Sequence, residues 1–177
     1  PITLLVYRAL NDQLGADPIA AITHQTGDWT LRFLLLSLAM TPLRLLIKKS
    51  WPIRFRRMIG LYAFFYACLH FAVYLFLDLG SYWSQIGADI IKRPFITVGF
   101  AAWLLLIPLA VTSNQWMMRK LKKNWIKLHK VVYVIGILGV VHYYWLVKSD
   151  IREPLIYAAI LLTLFGIRFW RRYKTNH

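Results

Sequence analysis

The chain carries a single cysteine, Cys68, so an internal disulfide and a metal cluster built on several thiolates are both excluded. Acid is nearly as scarce. Seven Asp and Glu stand against 22 Lys and Arg, for a formal net charge of +15. Charged residues make up 16% of the chain, against roughly 25% in a soluble domain, which argues against an ordinary water-soluble fold. No Gly-rich phosphate loop, nucleophile elbow or HExxH metal motif occurs, and Asp78 and Asp89 read as loop residues that make no catalytic pair. There is no internal repeat and no low-complexity linker. What fills the chain instead is apolar: 59% hydrophobic residues and 16% aromatic, with eight Trp. A strongly basic balance serves either nucleic acid or the cytoplasmic side of a membrane. The apolar content decides for the lipid bilayer, leaves no role for nucleic acid, and excludes disorder.

A helix needs about 20 apolar residues to cross ~30 Å of hydrocarbon. Five stretches meet that length: Trp29–Ile47, Met58–Leu77, Phe95–Thr112, Leu128–Val147 and Pro154–Trp170. Ile2–Leu10 reads as the tail of a further apolar segment whose start is missing, and no signal peptide is visible. The expected fold is an all-α membrane protein forming one domain over residues 1–177, with five complete transmembrane helices and a truncated first one. Pro94 and Pro154 fall at helix starts, where a missing N–H costs nothing, whereas Pro42 and Pro108 fall inside spans and predict kinks.

Charge gives the orientation. All seven acids (Asp12, Asp17, Asp28, Asp78, Asp89, Asp150 and Glu153) fall on one set of alternating connections. The other set, residues 44–57, 119–130 and 168–174, holds many Lys and Arg and no acid. Positive charge stays in the cytoplasm on insertion, so the basic set is read as cytoplasmic. The C-terminus is then inside, and an even span count puts the N-terminus inside too.

An ionisable side chain within a membrane is costly and marks a functional candidate. Of five histidines, two lie well inside spans. At 1.5 Å of rise per residue, His70 is about 20 Å from the basic boundary at Arg57, and His142 about 18 Å from Lys130. Their helices run the same way, so the two side chains reach a similar depth. Two imidazoles at matched depth can hold a flat iron porphyrin between them, each giving one nitrogen to iron while the other needs a partner. An iron filled on both sides suits electron transfer more than oxygen chemistry. The bland alternative is that both are polar packing residues bonded across the bundle.

His129, between Lys127 and Lys130, lies at the basic interface, where it reads either as an interfacial side chain or as the ligand of a second, inner haem. His129 and His142 are about 20 Å apart in rise but about 140° apart around a straight helix, a mismatch that a wide turn at Gly136 or Gly139 would correct. His24, read as an outer-loop residue, and the terminal His177 read as solvated. Arg56, Arg57 and Lys127 are candidates for neutralising haem propionates or a flavin phosphate, although topology alone also explains them.

Trp125-x-x-Leu128-His129-x-x-x-Tyr133, followed by His142-Tyr143, resembles the ferric reductase-like transmembrane superfamily. Within it the chain is most similar to the bacterial MsrQ (YedZ) family, haem-binding membrane subunits of methionine sulfoxide reductase systems. The stretches that carry this likeness include Gly15-Ala16-Asp17-Pro18, His24-x-Thr26-Gly27, Arg56-Arg57-x-x-Gly60-Leu61, Leu69-His70 and Arg93-Pro94-Phe95-x-Thr97-x-Gly99. The resemblance implies a six-helix bundle in a bacterial inner membrane with b-type haem, one or two, and FMN. It places the haem ligands at His70, His129 and His142. It implies electrons drawn from the quinone pool or a cytosolic flavin reductase and passed to a periplasmic MsrP-like molybdopterin reductase that repairs oxidised methionine. Related oxidases carry a second histidine about four turns before the one matching His70; here that position is Arg56, so an inner haem on His129 lacks an opposite histidine. Rival readings are a haem-containing ferric or quinone reductase, and a small transporter or helical scaffold with structural histidines.

Overall fold

A computed structural model of the chain describes residues 1–80, 82, 84, 86–147 and 150–176; His177 lies outside them. The described residues form helices and no strands, in the order α1 (Ile2–Leu10), α2 (Pro18–Ile47), α3 (Trp51–Val73), α4 (Ile86–Lys92), α5 (Pro94–Val111), α6 (Gln115–Leu121), α7 (Lys123–His129), α8 (Val131–Leu146) and α9 (Arg152–Asn176). Five are long and apolar enough to cross a membrane: Pro18–Ile47, Trp51–Asp78, Pro94–Val111, Lys123–Leu146 and Arg152–Arg171.

The first of these starts well before the apolar run does. Asp17 Oδ1 accepts the amide of Ala20 at 2.9 Å and Pro18 takes the first helical position, so the helix begins there and carries the polar residues 24–28. His24 and Asp28 are therefore helical, not in a loop as their polarity suggested. Asp89 is likewise in α4, where its carboxylate pairs with Arg93 at 2.9 Å and accepts the Tyr74 hydroxyl at 2.8 Å. The α3 helix ends in a wide π turn over Tyr74–Asp78. By contrast, α8 runs without interruption past Gly136 and Gly139, where a wide turn was expected. Those glycines serve packing instead. A Cβ at Gly136 would meet Leu161 at 3.2 Å, and one at Gly139 would meet Leu31 at 3.4 Å. The break between α7 and α8 falls at Lys130, where the amides of Lys130 and Tyr133 bond three residues back instead of four.

Two apolar clusters hold the bundle. Leu34, Ala63, Ala67, Ala102, Leu106, Leu109 and Ile135 join α2, α3, α5 and α8. Leu31, Leu35, Leu38, Val140, Leu161 and Leu164 join α2, α8 and α9. Within lipid the hydrophobic effect does not drive helices together, so close approach over small residues such as Ala63, Ala67 and Ala102 supplies the dispersion contacts.

Neither interior proline ends its helix. Pro42 lies within α2 and Pro108 within α5. Having no N–H, Pro42 leaves the Leu38 carbonyl without its helical donor, and the Arg168 guanidinium from α9 donates to that carbonyl through Nη2. Arg168 also lies over the Tyr133 ring, 5.0 Å from its centroid. One turn on, Arg171 Nη2 donates to the Leu45 carbonyl at 3.2 Å, near the C-terminal end of α2 where carbonyls have no helical partner. Two arginines read from sequence as topological signals thus pin α9 to α2.

Candidate functional site

His70 on α3 and His142 on α8 come together between the four central helices, their ring centroids 6.1 Å apart and their planes at 81°. Each ring is tied on its far side by a main-chain carbonyl. His70 Nδ1 donates to Thr23 O of α2 at 3.0 Å, and His142 Nδ1 donates to Phe95 O of α5 at 2.6 Å. A carbonyl can only accept, so both Nδ1 atoms carry a proton, which in a neutral ring leaves Nε2 with the free lone pair. The two rings are thus each fixed through Nδ1 and lie beside one another.

Aromatic rings flank the pair. Phe95 stands 6.3 Å from His142, and Phe71, next to His70, stacks on Trp103 at 4.5 Å. Trp103 Nε1 lies 3.5 Å from Cys68 Sγ. At the acidic end of the bundle a polar network joins α2, α8 and α9. Tyr143 donates to Glu153 at 2.6 Å, Arg32 donates to the Tyr157 hydroxyl at 2.9 Å and pairs with Asp28 at 3.5 Å, and the two tyrosine rings are 5.9 Å apart. His24 lines a neighbouring hollow of about 320 Å³ with Arg8, Gln25, Asp28 and Arg32.

His129 is held apart from this pair. It stacks on Trp125 at 4.0 Å, and its Nε2 lies 3.0 Å from the hydroxyl of buried Thr112. That hydroxyl gives its own proton to the Pro108 carbonyl at 2.6 Å, so His129 Nε2–H donates to it. Trp125 Nε1 in turn donates to the Thr112 carbonyl at 2.9 Å. No described histidine is among the partners of His129. Arg56 is close enough for its charge to act on both His129 and Arg168. Arg57 is not brought to this corner; with Arg54, Met58, Leu61, Tyr62 and Phe65 it lines a groove of about 530 Å³ along α3.

A bundle of membrane-spanning helices with two histidines paired in its interior is a membrane protein with a candidate cofactor site. A family model described as ferric reductase like transmembrane component matches residues 26–140, and the chain belongs to that family. The relatives point to its MsrQ branch. The chain is 60% identical over 178 residues to the protein-methionine-sulfoxide reductase heme-binding subunit MsrQ of Xanthomonas euvesicatoria pv. vesicatoria (strain 85-10), covering 97% of this chain and 82% of that protein. It is 50% identical over 183 residues to the protein of the same name from Herminiimonas arsenicoxydans, covering 99% and 84%. No solved structure matches the chain.

The group named in those relatives is haem, and the geometry can be tested against it. An imidazole–metal bond is about 2 Å long, so two such bonds plus the half-widths of two rings separate ring centres by about 6 Å. The observed 6.1 Å meets this, and Nδ1 bonding to carbonyls is the usual second contact of a metal-bound histidine. The ring separation is thus compatible with His70 and His142 as the candidate ligands of a shared iron. His129, with Nε2 engaged by Thr112 and no histidine across from it, does not fit a second iron held in the same way.

The sequence pattern pointed to the two rings as candidates and to their pairing, but not to what holds them. The carbonyls of Thr23 and Phe95 have no side-chain signature, and Thr112 and Trp125 gave no chemical signal of their own. Gly27 and Gly99, which the rings touch, stand out in the sequence only as members of the stretches that carry the family likeness, with no role attached.

Proposed function

We propose that this chain is the haem-binding transmembrane electron carrier of a methionine sulfoxide reductase system. One b-type haem would be held by His70 and His142. When bound there, it supplies one-electron redox chemistry at an iron with no open coordination position. The observation that carries this reading is the pair of rings 6.1 Å apart, each with Nδ1 committed to a backbone carbonyl. The chain's own residues fix the ligand tautomers and exclude water with Phe71, Phe95, Phe100 and Trp103.

The basic end faces the cytoplasm of a bacterial inner membrane in this proposal, with both termini inside, by the charge asymmetry between connections. Electrons enter at that end from quinol or from a cytosolic flavin reductase, near His129 and Arg56. If FMN takes part, Arg56, Arg57 and Lys127 are the cations available to its phosphate. Electrons leave at the acidic end, where Asp28, Glu153, Tyr143 and Tyr157 present hydrogen-bonding groups to a periplasmic MsrP-like molybdopterin reductase. The whole chain acts as one domain in this role.

The test is reconstitution in proteoliposomes with quinol on one side and a purified MsrP-like reductase on the other. Quinol-driven methionine sulfoxide reduction that disappears in His70→Ala and His142→Ala supports the proposal. Reduction that survives either substitution overturns the haem route. Loss of sulfoxide reduction in the presence of intact ferric reduction would instead favour a ferric reductase.

A further inference from the structure

Both candidate iron ligands rest against a glycine of the facing helix. A Cβ at Gly99 would lie 2.7 Å from His142 Nδ1 and 2.8 Å from its Cε1; a Cβ at Gly27 would lie 3.1 Å from His70 Cε1 and 3.3 Å from its Nδ1. Unstrained carbon contacts are about 3.5–4.0 Å, so a methyl group at Gly99 requires the ring to move, and one at Gly27 requires a smaller shift. The carbonyl that receives each ring's Nδ1 proton belongs to the residue four positions before that glycine: Thr23 before Gly27, Phe95 before Gly99. Four residues make about one helical turn, so each imidazole spans one turn, its N–H on the upper carbonyl and its edge on the bare Cα below. The same arrangement occurs twice, on separate helix pairs, α2 with α3 and α5 with α8. The other described helical glycines do something else: Gly60 faces a serine hydroxyl, Gly136 and Gly139 face leucines, and Gly87 and Gly166 have nothing within 4 Å.

We propose that Gly27 and Gly99 are positioning residues for the iron ligands, each forming with its carbonyl a notch that seats one imidazole in one tautomer and one plane. Two notches on separate helices hold the ring planes near perpendicular, at 81°. The two are unequal. The Gly99 notch is the tighter by the contact distances, so His142 is the more firmly fixed ring and His70 the one with more freedom to adjust. This inference rests on the reading of His70 and His142 as ligands of a shared haem iron.

The experiment uses the whole chain, purified in detergent with haem supplied, as Gly99→Ala and Gly27→Ala. Gly139→Ala, on the same helix as His142, and Gly166→Ala add the same methyl without touching a histidine. Haem affinity, the midpoint potential and the low-spin EPR spectrum of the oxidised protein are read together. Perpendicular ligand planes give a strongly anisotropic low-spin signal, and tilting one ring moves it toward the ordinary rhombic form. Gly99→Ala should change the EPR form, shift the potential and lower haem affinity about 10- to 100-fold, the usual cost of disturbing the outer contacts of a metal-bound histidine. Gly27→Ala should move all three in the same direction by less, and both controls should match the unsubstituted protein. If Gly99→Ala does not fold, Gly27→Ala carries the test, because its methyl needs a shift of only a few tenths of an ångström. A wild-type EPR form and potential in the folded glycine variants, or an equal change in Gly139→Ala, overturns the proposal. Loss of haem in His70→Ala and His142→Ala alongside indifferent glycines defeats the notch alone; unaltered haem in the histidine variants defeats the ligand reading and the notch with it.

Discussion

The bond between Arg168 and the Leu38 carbonyl exists because of Pro42, and that dependence can be measured. Without an N–H at position 42, the carbonyl four residues earlier has no helical donor, and Arg168 supplies one from α9. Arg168→Met removes the donor and the contact over Tyr133 at 5.0 Å. A hydrogen bond from a charged donor contributes about 1.5–3 kcal/mol in water-soluble proteins and a cation–π contact about 0.5–2 kcal/mol. Two opposing effects reduce the sum. Bonds between membrane helices average only about 0.6 kcal/mol, because the unfolded state in the membrane also finds partners. Arg168 Nε and Nη1 are moreover buried with no hydrogen-bond partner among the described residues, a cost that methionine lacks. The net destabilisation should be about 1–2 kcal/mol. In a Pro42→Ala background the new amide at position 42 satisfies Leu38, and Arg168→Met should cost about 1 kcal/mol less. Unfolding midpoints of the four proteins in one detergent measure this, at about 2–4 °C per kcal/mol for a chain of this size. Additivity of the two substitutions would refute the claim that Arg168 serves the carbonyl that Pro42 leaves bare.

Other predictions follow from the packing and the caps. Ala63 is fully buried between α3 and its neighbours, so Ala63→Leu should cost about 1–3 kcal/mol by overpacking and lower the unfolding midpoint. Asp17→Ala should cost about 1 kcal/mol through loss of the 2.9 Å cap, seen as faster amide exchange confined to the first turn of α2. Thr112→Val removes the acceptor of His129 Nε2 and should change the His129 ring-nitrogen NMR shifts while leaving those of His70 and His142 in place.

Much of the fold was legible in the sequence, because a helix crossing lipid must be apolar for about 20 residues and its flanking charges record its direction. The spans at Pro94–Val111 and Arg152–Arg171 start close to where the apolar runs put them. The start of α2 was not, since periodic apolarity cannot detect a helix that continues into water; the Asp17-Pro18 cap was the available signal. The pairing of His70 with His142 could be anticipated because equal depth on two similarly directed helices is a matter of residue counting. Depth says nothing about rotation, so neither the 81° between the rings nor the carbonyls that set it could be read. Arg168 and Arg171 were obscured differently. Their positive charge marks topology so strongly that their bonds to α2 leave no separate trace in one sequence.

The central claim is that His70 and His142 together hold one haem. The most direct measurement is a pyridine haemochrome assay, with reduced-minus-oxidised spectra, on the purified unsubstituted chain and on His70→Ala, His142→Ala and His129→Ala. About one b-type haem per chain with sharp low-spin bands is expected in the unsubstituted protein and in His129→Ala, and its loss in the other two. A colourless unsubstituted protein purified with haem available, or low-spin bands that persist in His70→Ala or His142→Ala, would contradict it.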